Sequence, residues 1–94
     1  MEKGDHLEFL AIKPCKADAF EVVPKGRLTL DLEECAKLLR ESGYEIVSNP
    51  GVMLVVKRDI ELTLYPHGRI LMHPVSTKED AHRHASDLYS AVGL

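Results

Sequence analysis

Residues 60–92 read IELTLYPHGRILMHPVSTKEDAHRHASDLYSAV, and the alternation at the start of this stretch decides the fold. Ile60, Leu62 and Leu64 alternate with Glu61, Thr63 and Tyr65, the period-2 pattern of a strand that buries one face. Pro66-His67-Gly68 turns the chain, because Pro66 has no N–H to give to a ladder and Gly68 can take the positive φ of a tight hairpin loop. A second strand is predicted over 69–73. After Pro74, Ser76 and Glu79 stand at capping-box spacing, with the Ser76 hydroxyl accepting from a first-turn amide and Glu79 reaching back. Ala81, Ala85, Leu88 and Val92 then share one face of a helix, with His84 and Tyr89 at its margins. A hairpin and a one-faced helix need partners, so the upstream chain must supply the rest of the sheet and a second helix.

Working upstream, residues 52–57 are apolar at nearly every position and read as a strand, joined to Ile60 through Arg58-Asp59. Residues 44–48 read as another strand, separated from it by the turn Asn49-Pro50-Gly51. With connections this short, four antiparallel strands in a meander are the economical arrangement, since parallel pairing needs a crossover of a dozen or more residues. Residues 31–42 form the first helix: Asp31 caps it, Glu34 stands at the box position, Leu32, Cys35, Ala36 and Leu39 line one face, and Gly43 ends it. Residues 7–13 (LEFLAIK) read as the first strand, closed by Pro14, and 16–19 as a turn. Between them and the helix, 20–23 and 28–30 flank Pro24-Lys25-Gly26, so that a short extra hairpin or an irregular excursion both fit. The expected architecture is α+β, one antiparallel sheet of about five strands with two helices on one face.

The 94 residues make one domain, 1–94, able to bury roughly 60–65% of the surface its unfolded form exposes. The composition, 45% hydrophobic and 29% charged, is that of an ordinary globular chain. No apolar run approaches the ~18 to 20 residues of a bilayer span, and no signal-peptide pattern follows residues 1–6, which predicts a cytoplasmic protein without membrane contact. A formal net charge of −3 disfavours phosphate-backbone binding, although Lys13, Lys16, Lys25 and Arg27 make the first third the most basic region, able to contact a phosphate or nucleic acid.

Candidate chemistry is sparse. Cys15 and Cys35 form no CxxC; Cys35 falls in a helical apolar stripe and reads as a small buried hydrophobe, while Cys15, after Pro14, can be exposed. Of the five histidines, His6, His67, His73, His82 and His84, the pair His82/His84 is two apart on a helix and points in different directions, so no metal is predicted. Asp31, Glu33 and Glu34 cluster at a helix start, where capping and the helix dipole explain them. Ser76 and Thr77 are caps rather than nucleophiles. No phosphate-binding glycine loop, dinucleotide fingerprint or nucleophile elbow occurs, so no catalytic residue and no cofactor is predicted.

The order strand, helix, four-strand meander, helix resembles one repeat of the TATA-box-binding protein fold. Gly68-Arg69-Ile70 corresponds to the Gly-Lys-Ile of that repeat's hairpin, and Ser76-Thr77-Lys78-Glu79-Asp80-Ala81 to the segment leading into its helix. The resemblance covers most of the chain by element order and residues 60–92 by motif. It implies a nucleic-acid-binding sheet face, but that family kinks the minor groove with paired Phe wedges. Here Phe9 and Phe20, the only two Phe, both precede the first helix, so the fold carries over and the DNA-binding residues do not. The family also joins two repeats in one chain; a single repeat leaves an edge at the first strand, which implies a homodimer built across 7–13. On these strand phases, Val47, Met53, Val55 and Leu71 point away from the helices, and with Leu10 they make an interaction surface on a free sheet face or edge. The expected function is a non-enzymatic interaction or regulatory module with a protein partner or its own twin. The alternatives are a nucleic-acid-binding module and a small metal- or ligand-binding protein using His73, Cys15 or the acidic residues.

Overall fold

A computed structural model describes residues 8–12, 18–26 and 28–94. Their elements are β1 (Phe9–Ile12), β2 (Phe20–Pro24), α1 (Leu32–Glu41), β3 (Glu45–Ser48), β4 (Leu54–Arg58), β5 (Ile60–Leu64), β6 (Ile70–His73) and α2 (Lys78–Ala91). The strands form one antiparallel sheet in the order β1-β2-β6-β5-β4-β3. There are six strands where the sequence pattern predicts about five. The added strand is β2, and its partner is not 28–30, which carries no strand, but β1 on one side and β6 on the other. This placement pairs the backbone of β2 on both sides and sends Phe20 and Val22 into the core, neither of which a two-stranded excursion achieves. Pro24, lacking an N–H, stands at the end of β2.

The meander β3–β6 follows the predicted order. Between β4 and β5 the turn is so tight that Arg58 pairs directly with Ile60. Asp59 takes φ 68°, a left-handed conformation that Asp tolerates better than most residues. Between β3 and β4 the register shifts: Ile46 opposes Val56 while Ser48 opposes Val55, leaving Val47 as the extra residue of a bulge.

One set of alternating positions lines the core: Phe20 and Val22, Leu54 and Val56, Ile60, Leu62 and Leu64, Ile70 and Met72. The inner stripes of both helices join the same cluster, Leu32, Cys35, Ala36 and Leu39 from α1 and Ala81, Ala85, Leu88 and Tyr89 from α2. The fully buried Ala81 and Ala85 let the backbone of α2 approach the sheet closely.

Both helix starts are set by short side chains. The Asp31 Oδ1 accepts from the amides of Glu33 (3.0 Å) and Glu34 (3.3 Å), as the sequence predicts, and Gly43 follows the helix at φ 96°. For α2 the cap is Thr77 rather than Ser76; its Oγ1 accepts from the Asp80 amide at 3.1 Å. Val75 accounts for the one-residue shift: it is buried and its amide donates to the Asp18 carbonyl, which holds the chain extended past Ser76. Tyr89, placed at the helix margin by its spacing, is 2% exposed, and its hydroxyl donates to the Gly68 carbonyl. Burial pushes its pKa far up, so it stays a donor at any physiological pH.

Candidate functional site: the uncovered sheet face and its loop end

The positions that alternate with the core form the opposite face of the sheet, which no helix of the described residues covers. The register carries one row across it, Ile12 beside Glu21, then Leu71, Thr63, Val55 and Ser48. A second row runs Glu45, Lys57, Glu61, His73, and Leu10 sits beside Val23. The two halves of the face differ. On the β1 side, Leu10 is 51% exposed, Ile12 44% and Leu71 38%. Toward β3 the face carries alternating charge, Glu45, Lys57 and Glu61, a cross-strand pattern that favours its own neighbours over an apolar partner.

Of the residues singled out for interaction, Leu10 lies on the outermost strand, Leu71 and half-buried Val55 lie in the first row, and half-buried Met53 precedes β4. Val47 is exposed at the bulge, near the far edge. Ile12 and Val23 belong with Leu10 and Leu71 and are missing from the sequence-based set. The signal for Ile12 was available, since it shares the phase of Leu10; for Val23 it was not, because nothing local assigns β2 its neighbours.

The basic residues do not make a described cluster. Lys25 is exposed just beyond β2, where its amide donates to the Glu8 carbonyl at 2.9 Å. Lys13, Lys16, Arg27 and Cys15 lie outside the described residues, as do both ends of the predicted 7–13 strand. Among the described residues no group of three or more His, Cys, Asp or Glu is placed to hold a metal ion. The His82 ring packs on Phe9 with centroids 4.7 Å apart, and burial pulls the pKa of His84 down, with Arg83 adding to the effect. Cys35 is buried, and burial together with Asp31 and Glu34 pushes its thiol up, away from the thiolate that nucleophilic chemistry needs. No helix of the described residues is long and apolar enough to cross a membrane.

At one end of the uncovered face the chain makes an open cleft of about 930 Å³ that single-residue pattern cannot foresee. Its walls come from three places: the end of β2 and the stretch after it (Pro24, Leu28), the β3–β4 turn (Val52) and the β5–β6 turn (Pro66, His67), with Tyr65 and Arg69 between. Arg69 makes an ion pair with Glu21 at 3.1 Å and stacks on the Tyr65 ring at 4.6 Å. Two of these, the stretch after β2 and the β5–β6 turn, are tied together. The Leu30 amide donates to the Pro66 carbonyl at 2.8 Å, and Gly68 sits so close to Pro24 and Leu28 that a Cβ there would lie 2.6 Å from Leu28 Cδ1. Gly68 also holds φ 95°, so both conformation and space demand glycine. No protein-family model matches this chain, and neither the curated proteins nor the solved structures contain a match to it.

Proposed function

We propose that this chain is a non-catalytic interaction module that pairs with a second copy of itself through β1 and the aliphatic half of the uncovered face. The observation that carries the reading is the exposure of Leu10 and Ile12 on β1, the outermost strand among the described residues. An edge strand offers unpaired N–H and C=O groups, and natural edges are usually blunted with charge. Here the outward side chains of β1 are aliphatic, and Val23 and Leu71 extend them inward. A two-fold antiparallel contact between β1 strands satisfies the edge and joins the two aliphatic patches into one.

The run β2–α1–β3–β4–β5–β6–α2 supports a reading of the chain as a single repeat of the TATA-box-binding type, with β2 as the repeat's first strand and β1 as an addition outside it. That differs from the assignment of 7–13 to the repeat itself, and it moves the proposed dimer contact onto the added strand.

Sedimentation equilibrium tests the dimer. The wild type is expected to shift from one-chain to two-chain mass in the micromolar range, and Leu10→Lys to weaken the association by at least about tenfold. A one-chain mass throughout that range overturns the proposal, and a dimer indifferent to Leu10→Lys moves the contact elsewhere. Duplex DNA is expected to bind weakly or not at all near 150 mM salt, because the uncovered face sets Glu21, Glu45 and Glu61 against Lys57 and Arg69. Sub-micromolar affinity in a fluorescence titration at that salt would promote the nucleic-acid reading.

A further inference from the structure

We propose that the loop-end cleft is a binding site for a small amphipathic monoanion, an apolar body with one carboxylate head, and that Arg69 reads the head. Three observations converge on this assignment. The cleft volume, about 930 Å³, lies within the range of small-molecule sites, and most of its lining is apolar, from Val23, Pro24, Leu28, Val52 and Pro66. No Asp or Glu among the described residues lines it, although the chain has 15 acidic residues against 12 Lys and Arg. The charged group that does line it is a guanidinium already oriented, by the stack on Tyr65 and the bond to Glu21, while its side chain remains 46% exposed. A guanidinium presents five N–H donors in a fixed fork, so one ion pair leaves donors for a second carboxylate.

Two of the three walls are held before any ligand arrives. The Tyr65 amide donates to the Arg69 carbonyl (2.9 Å) and the Gly68 amide to the Tyr65 carbonyl (2.8 Å), closing the turn that carries His67. The bond between Leu30 and Pro66 fixes the opposite wall against it. A preformed cleft loses little freedom on binding, which favours a small ligand over a segment that must order itself. Among the described lining residues Arg69 is the one Lys or Arg, and, partly neutralised by Glu21, it suits one negative charge rather than a phosphate ester with two. This site shares Val23 with the proposed dimer patch but does not depend on the dimer.

The test is a titration of the whole chain with decanoate, followed by amide chemical shifts and compared with 1-decanol. Decanoate is expected to saturate a single site, shifting the amides of Gly26, Leu28, Val52, His67 and Arg69. Arg69→Gln is expected to weaken it at least tenfold, whereas Arg58→Gln, altering an arginine that packs on Tyr44 outside the cleft, leaves it unchanged. 1-Decanol is expected to bind at least tenfold more weakly than decanoate. Val52→Asp provides a second variant that spares the core, because Val52 is 69% exposed, and it should abolish decanoate binding by placing a carboxylate at the rim. Equal binding of the alcohol, undiminished binding by either cleft variant, shifts centred on Leu10 and Ile12, or no saturation would each overturn the assignment.

Discussion

The two faces of the sheet are made from the same strands, often from adjacent residues of the same chemical class, yet they do different work. Leu71 and Met72 are neighbours in β6; Met72 is fully buried under the helices and Leu71 is 38% exposed on the other side. Thr63 and Leu64 divide in the same way. The covered face is aliphatic or aromatic in every central strand and shares one core with both helices. The uncovered face mixes aliphatics, charges and one stacked arginine. Burial on one side therefore leaves the other side free to vary without unfolding the domain, which is the arrangement an interaction surface needs.

The largest expected effect lies on the covered face. Leu64→Ala should destabilise the domain by about 2–4 kcal/mol, since Leu64 has no exposed surface and the vacated space is walled by a packed core. Thr63→Ala should cost less than about 1 kcal/mol, because Thr63 is partly exposed beside Leu71 and Val55. Equal shifts of the two urea midpoints would break the distinction between the faces. An intermediate effect is expected where α2 bonds to the β5–β6 turn. Tyr89→Phe removes the donor to the Gly68 carbonyl while keeping the ring, and should cost about 1–3 kcal/mol in the same assay. A loss near zero would mean that solvent replaces the bond. The smallest effect is predicted for Leu71→Ser, under about 1 kcal/mol, on the uncovered face. A cost as large as that of Leu64→Ala would show that something covers Leu71 in solution.

What could be read from the sequence was what local signals specify. In α1 the cap Asp31, the stripe Leu32, Cys35, Ala36 and Leu39, and the stop at Gly43 are all within one segment, and the structure has each of them. The alternation of residues 60–64 likewise gave β5 its buried face. Thr77 displaced Ser76 as a cap because Val75 is held by Asp18, a contact across most of the chain that no spacing rule contains. The position of β2 was hidden for the same reason: its inner neighbour is β6, and pairing Phe20 with Met72 is a contact across most of the chain. The cleft was the least legible part. Pro66-His67-Gly68 is recognisable as a turn, but its approach to Val52 and Leu28 exists only once the sheet has brought three turns to one end.

The pairing of β2 with β6 has a consequence for how the chain comes together. On one side of this seam is the β1–β2 hairpin and on the other the β3–β6 meander, and each is assembled from near neighbours. The seam itself is three residue pairs, Phe20 with Met72, Glu21 with Leu71 and Val22 with Ile70. Closing a loop of about fifty residues costs roughly 3–4 kcal/mol of chain entropy before those pairs form. During synthesis, the hairpin must wait with the inner edge of β2 bare until β6, the last strand made, leaves the ribosome. The two halves can therefore form early, but they become one sheet late, and that interval is when β2 is most open to a wrong partner.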